Sequence, residues 1–139
     1  ADIARAVGAD GVHVGQDDLP VSAVRQILGP DKIIGVSTHR PDQLRAAIEA
    51  DPTYIPAGPA FATATKPHEP AAGVGYVSEA IAALREAGIP EVAIGGITSD
   101  NLSQVTATGV RRIAVCSAIL AAADKIAAAE TLVRRLTGP

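Results

Sequence analysis

Five short apolar runs, each closing on glycine or a polar residue, recur along the chain: Gly11 to Gly15, Ile33 to Ser37, Tyr54 to Gly58, Val92 to Gly96 and Ile113 to Ser117. Runs of this length and character read as buried strands. Between them the apolar positions change to helical spacing. Val21, Val24 and Leu28 share one face, as do Leu44, Ala47 and Ile48; Val77, Ile81 and Leu84; Leu102 and Val105; and Ile126, Ala129, Val133 and Leu136. Pro41 suits a first helical turn, Gly88 before Pro90 a helix stop, Thr98 or Ser99 a helix start and Gly109 another stop. The result is an alternation of strand and helix, with a wider gap between the third and fourth strands.

Polar and glycine-rich clusters fall at the carboxyl end of every strand, which is where a (βα)8 barrel builds its site. Five units do not close an eight-stranded barrel, so a TIM barrel with this chain's rhythm would be incomplete. A five-stranded flavodoxin-like sheet is the alternative. The chain opens at Ala1 in a segment, Asp2 to Ala9, that reads as a helix already under way. Residues 1–139 are enough for one domain, and the chain is either processed or the later portion of something longer.

Composition narrows the picture. Of 139 residues, 47% are apolar, yet there is no Trp or Met, one Phe and two Tyr, so the core has to be aliphatic. A net charge of −3 argues against a nucleic-acid or anionic-membrane surface and makes any anion site local. One cysteine excludes an internal disulfide and a cysteine-rich zinc site. With no basic-then-apolar leader and no apolar run of about 18 residues, the expectation is a cytoplasmic protein without a membrane partner. A homo-oligomer stays open.

The strand-end clusters carry the candidate chemistry. Gly58-Pro-Ala-Phe-Ala-Thr-Ala-Thr-Lys-Pro67 puts Thr63, Thr65 and Lys66 on one long loop. Two hydroxyls and an ammonium there suit an anionic ligand, and Lys66 suits charge moving onto a leaving phosphate. Asp17 and Asp18 follow the first strand, where one of them offers a Mg2+ ligand, or Asp18 caps the helix starting near Pro20. Ser37, Thr38 and His39 end the second strand, as ligand contacts or as caps for the helix entered at Pro41. Gly95 and Gly96 permit close approach of a ligand to backbone N–H groups, or tight packing. Cys116 and Ser117 end the last strand, with Cys116 read as a packing residue rather than a nucleophile. His13, inside a strand, reads as a satisfied packing residue, and His68 as solvated.

With these residues in view, the chain resembles the thiamine-phosphate synthase family, a (βα)8-barrel family. The resemblance runs through Ala-Asp-Gly-Val-His-Val-Gly-Gln-Asp-Asp-Leu-Pro, Ile-Ile-Gly-Val-Ser-Thr-His, Gly-Pro-x-Phe-x-Thr-x-Thr-Lys-Pro and Ala-Ile-Gly-Gly-Ile, in order and at family spacing. It implies an enzyme, a transferase that joins 4-amino-5-hydroxymethyl-2-methylpyrimidine diphosphate to a thiazole phosphate, giving thiamine phosphate and pyrophosphate, with Mg2+. By resemblance, Asp18 is a Mg2+ ligand and Ser37 and Lys66 are the catalytic contacts to the diphosphate. Thr63, Ala64, Thr65, Gly96, Cys116 and Ser117 line the thiazole-phosphate site. The family's Gln-x-Arg-x-Lys strand and Asn-Asp pair would fall before Ala1, so the resemblance implies that residues 1–139 are a single domain, the C-terminal portion of a (βα)8 barrel with about its last five βα units and without its first ones. Pro56 interrupts a ladder bond of the third strand unless that strand bulges, and Ala62 and Ala64 stand where the family often has proline. Two alternatives accompany this reading: a thiazole tautomerase using His39, and a non-catalytic phosphate-binding barrel fragment.

Overall fold

The computed structural model describes residues 1–65, 68 and 70–138; Lys66, Pro67, Glu69 and Pro139 lie outside the described residues. In chain order the elements are α1 (Asp2–Ala6), β1 (Gly11–Val14), α2 (Val21–Leu28), β2 (Ile33–Val36), α3 (Pro41–Glu49), β3 (Ile55–Ala57), α4 (Gly73–Glu86), β4 (Glu91–Ile94), α5 (Leu102–Thr106), β5 (Ile113–Ala114), α6 (Ser117–Leu120) and α7 (Lys125–Thr137). All five expected strands are present but shorter than their apolar runs: β4 starts one residue earlier, at Glu91, β3 keeps only Ile55–Ala57, and β5 is cut to Ile113–Ala114, with Ser117 already in α6. Pro41 opens α3, and Gly88, at φ 70°, follows the end of α4. The regular helix starts at Leu102 rather than at Thr98 or Ser99, but a capped turn does begin at Thr98: Leu102 N–H donates to Thr98 O at 3.0 Å and Asn101 Oδ1 accepts the Thr98 N–H at 2.8 Å. The short α6 directly after β5 was not expected from the pattern.

Every pairing is parallel, β1 with β2, β3 with β4 and β4 with β5, and isolated bridges Gly35 to Tyr54 and Thr38 to Ala57 join β2 to β3. Spatial order thus follows chain order throughout. A flavodoxin-like sheet reverses direction at a switch point, so the monotonic order selects the barrel alternative. These are consecutive βα units of a (βα)8 barrel, an arc that β1 and β5 leave unclosed among the described residues.

Strand side chains alternate between two surroundings. Val14, Ile34, Val36, Ile55, Ala57 and Ala93 are buried in the core, together with Val24, Leu44, Val77, Ile81, Leu84, Leu102 and Val105 of the helices. The intervening residues, including His13, Ser37, Tyr54, Pro56, Val92, Ile94 and Ala114, line a cavity on the other face. At the opposite end of β4, the buried Glu91 carboxylate meets Arg85 at 3.5 Å and Arg112 at 3.2 Å, tying α4 to the segment before β5.

Pro56 interrupts the sheet without a bulge. Tyr54 N–H points to Ile34 O and Ile55 N–H to Pro90 O, so by alternation position 56 faces β2, where proline has no N–H to give. Register is nevertheless equal on both sides, from Gly35 with Tyr54 to Thr38 with Ala57. A side-chain relay fills the gap. Tyr76 OH donates to Thr38 Oγ1 at 2.8 Å, and Thr38 Oγ1 donates to Pro56 O at a long 3.4 Å. Burial raises the Tyr76 phenol above its ordinary value of 10.0, against the opposing effect of the Thr38 bond.

The face expected for the last helix is corrected. Of the expected set Leu136 packs partly against the core, but Ile126 and Val133 are 74% and 58% exposed, and Leu132, outside the set, is only 4% exposed. Ala128, Leu132 and Leu136 repeat every four residues and satisfy helical spacing as well as the expected set; adjacent Leu132 and Val133 left the choice of stripe ambiguous.

Two stability predictions follow from this packing. Leu132→Ala should cost about 2–3 kcal/mol and Val133→Ala no more than about 0.5 kcal/mol in equilibrium urea unfolding. A larger loss for Val133 would reverse the assigned face. For Tyr76, a folded-state value above the unfolded one means that the native state holds its proton more tightly. That contribution is complete below about pH 10 and is lost as pH rises further. Tyr76→Phe should therefore be less stable than the parent at pH 8, by about 1 kcal/mol, with a gap that narrows above pH 10; a constant gap would contradict the buried phenol.

Candidate functional site

The carboxyl ends of the strands and their loops surround a cavity of about 340 Å³. Ser37 and His39 reach it from the segment after β2, Thr63 and Thr65 from the loop after β3, Gly95 and Gly96 from the turn after β4, and Cys116 and Ser117 from the β5-to-α6 junction. Six of the expected site residues, Ser37, Thr63, Thr65, Gly96, Cys116 and Ser117, are thus brought together from four connections. Ala64 is exposed beside them without lining the cavity, and Lys66 lies outside the described residues.

The threonine loop is seated on the neighbouring strand by backbone bonds. Ala60 N–H donates to Ile94 O at 2.8 Å and Phe61 N–H to Gly95 O at 3.1 Å; Ala72 N–H then returns to Pro59 O at 2.9 Å. Within the loop, Thr65 N–H donates to Thr63 Oγ1 at 3.2 Å, a local turn closure. Gly96 is required by this seating. It has φ 61°, and a Cβ there would lie 2.6 Å from Ala62 O. The glycine pair therefore admits the threonine loop, rather than the following helix, to the strand end. Asn101, which the sequence reading missed, holds the same turn through Nδ2 to Gly96 O at 2.9 Å and Oδ1 to Thr98 N–H at 2.8 Å. Its signal was its place in the turn-forming run Ser99-Asp100-Asn101.

His39 and Cys116 take specific positions. His39 Nδ1 donates to Gly58 O at 2.7 Å, so a neutral ring keeps its lone pair on Nε2. Its backbone N–H donates to Gln43 Oε1 at 2.9 Å, close to the start of α3. Cys116 is exposed at the N-cap position of α6, which corrects its reading as a packing residue.

Asp18 neither caps α2, whose N-cap is Pro20 without a side-chain bond, nor lines the cavity. Its Oδ2 accepts the Gly15 N–H at 2.7 Å, which fixes the carboxylate at the end of β1 and leaves Oδ1 outside that bond. Among the described residues no group of three or more metal-ligating side chains occurs. One anchored carboxylate fits Mg2+, which keeps waters and takes phosphate oxygens; it does not fit an all-protein cage. No helix of the described residues is long and apolar enough to cross a membrane.

His13 and Tyr54 were not expected at the site. They lie on the concave face and meet each other and Ser37: His13 Nδ1 is 2.9 Å from Tyr54 OH, and Nε2 is 2.8 Å from Ser37 Oγ. Strand parity held the signal, since His13, Gly35 and Tyr54 form one row across three strands.

Comparison with known proteins agrees with this arrangement. The family profile described as thiamine monophosphate synthase matches residues 1–119. The thiamine-phosphate synthase of Mycobacterium bovis (strain BCG / Pasteur 1173P2) is 52% identical over 137 residues, 99% of this chain and 61% of the relative. That of Synechococcus sp. (strain CC9311) is 47% identical over 135 residues, 97% of this chain and 37% of the relative. The chain therefore spans less than two thirds of the length of these relatives. Among solved structures, thiamine phosphate pyrophosphorylase from Pyrococcus furiosus superposes with a TM-score of 0.82 at 35% identity, over 99% of this chain and 65% of that one. With its matched length, its strand order and the residues gathered at its strand ends, this chain belongs to the thiamine monophosphate synthase family.

Proposed function

We propose that the protein is a transferase of thiamine biosynthesis that joins 4-amino-5-hydroxymethyl-2-methylpyrimidine diphosphate to a thiazole phosphate, releasing pyrophosphate. The observation that carries this reading is the convergence of Ser37, Thr63, Thr65, Gly96, Cys116 and Ser117 on one cavity, in a chain of this family. Ser37 and Lys66 contact the diphosphate, and Thr63, Ala64, Thr65, Gly96, Cys116 and Ser117 bind the thiazole phosphate. Asp18 is the carboxylate for Mg2+, which when bound neutralises charge on the diphosphate.

The chemistry needs no protein nucleophile. The bond from the pyrimidine methylene to the diphosphate oxygen breaks, its electron pair leaving with pyrophosphate, and the thiazole nitrogen bonds to the methylene carbon. Donors aimed at the departing oxygens lower the barrier because charge grows there as the bond lengthens. Ser37 supplies a hydroxyl and Lys66 an ammonium for that role. Apolar walls from Val92, Ile94, Ile97 and Ala114 reduce competing solvation. The same reading takes residues 1–139 as one folding unit acting in the cytoplasm on small molecules, with self-association open.

A second reading, a thiazole tautomerase, has one observation in its favour: the bond from His39 Nδ1 to Gly58 O leaves Nε2 as the basic nitrogen. Thiamine phosphate formation from both substrates separates the two. The synthase reading predicts product that disappears when a chelator removes Mg2+, a loss of about 10²–10³ in kcat for Ser37→Ala, and no turnover for Lys66→Ala. Wild-type turnover by Lys66→Ala, or loss on His39→Asn with Ser37→Ala unaffected, would overturn it.

A further inference from the structure

Ser37 is clamped at three points by the segment that begins with β1. Its N–H donates to Val14 O at 3.0 Å, its carbonyl accepts from Gln16 Nε2 at 2.5 Å, and its Oγ lies 2.8 Å from His13 Nε2. Behind His13 stands Tyr54, with its OH 2.9 Å from Nδ1 and the ring centroids 5.6 Å apart. The two rings meet above Gly35. A Cβ at that position would fall 2.3 Å from the Tyr54 ring and 2.5 Å from His13 Nδ1. Any other residue in the middle of this row would push the pair apart, so the glycine is a condition of the contact.

The order of donors matters for what Ser37 presents. A neutral imidazole has one N–H and one lone pair, and a phenol O–H is the natural donor to that lone pair. With Tyr54 donating to Nδ1, the ring proton sits on Nε2 and is donated to Ser37 Oγ. The serine's own proton is then directed away from His13 and is available to an anionic oxygen. In the other tautomer Nε2 would accept that proton, and Ser37 would offer the anion only lone pairs.

We propose that Tyr54 and His13 are positioning residues that fix Ser37 as a hydrogen-bond donor to a phosphate group, Tyr54 by setting the His13 tautomer. The proposal rests on the reading of Ser37 as a diphosphate contact. It assigns work to two residues on the concave face that the substrate contacts named above do not include.

Two measurements test it independently of turnover. Nitrogen-15 NMR of the His13 ring should show the Nε2–H tautomer in the parent and a gain of the Nδ1–H form in Tyr54→Phe, which keeps the ring and removes only the hydroxyl. An Nδ1–H ring in the parent, or an unchanged tautomer in the variant, would overturn the proposal. Inorganic pyrophosphate, titrated with Mg2+ present, should bind Tyr54→Phe about fivefold more weakly than the parent, the loss of one ordinary hydrogen bond. In the Ser37→Ala background the same change should have no effect beyond experimental error, because its route is gone. Equal weakening in both backgrounds would contradict action through Ser37. A protein that passes both tests but makes no thiamine phosphate would remove the synthase reading and leave the positioning intact.

Discussion

The parallel ladder gives way at one place, between β2 and β3, and the geometry of the site follows from how that gap is held. Pro56 has no N–H for β2, so among the described residues the two strands meet through isolated bridges, Gly35 with Tyr54 and Thr38 with Ala57, rather than a continuous ladder. Both tyrosines of the chain stand at this gap, one on each face. Tyr76 works from the helix side through Thr38 to the Pro56 carbonyl, and Tyr54 from the concave side through His13 to Ser37. Of the two phenols, Tyr76 reaches the Pro56 carbonyl through Thr38, whereas Tyr54 spans β2 above Gly35 to His13 of β1.

Downstream of the gap, close approach replaces side-chain bulk. The loop after β3 continues along β4 through Ala60 and Phe61, and Gly96 leaves room for its backbone. Thr63 and Thr65 are therefore carried to the cavity by a segment paired to a strand, not by a free loop. Asn101 holds the other side of that turn. Binding groups mounted this way lose little conformational entropy when a ligand arrives.

Much of this was legible in the sequence because the period of the apolar residues changes with the element. Strand-length runs such as Ile33 to Val36 and helix-spaced sets such as Val77, Ile81 and Leu84 gave the alternation, and glycine with hydroxyl clusters marked the strand ends. Other features depend on proximity that periodicity does not encode. Leu132 and Val133 are adjacent apolar residues, and only packing decides which one is buried. Gly96 looked like a ligand contact or a helix-packing glycine, whereas its neighbour is the backbone of a loop more than thirty residues earlier. His13 read as packing because its partners, Ser37 and Tyr54, come from other strands. Lys66, the residue with the clearest chemical signature in the sequence, lies outside the described residues.

The central claim is that the strand-end cavity is a phosphate site built by these loops, and amide chemical-shift mapping during titration with a thiazole phosphate tests it most directly. Shifts confined to Thr63, Thr65, Gly95, Gly96, Cys116 and Ser117 would agree with the account. Shifts centred instead on the opposite end of the strands, around Glu91 and Arg112, or the absence of any saturable shift, would contradict it.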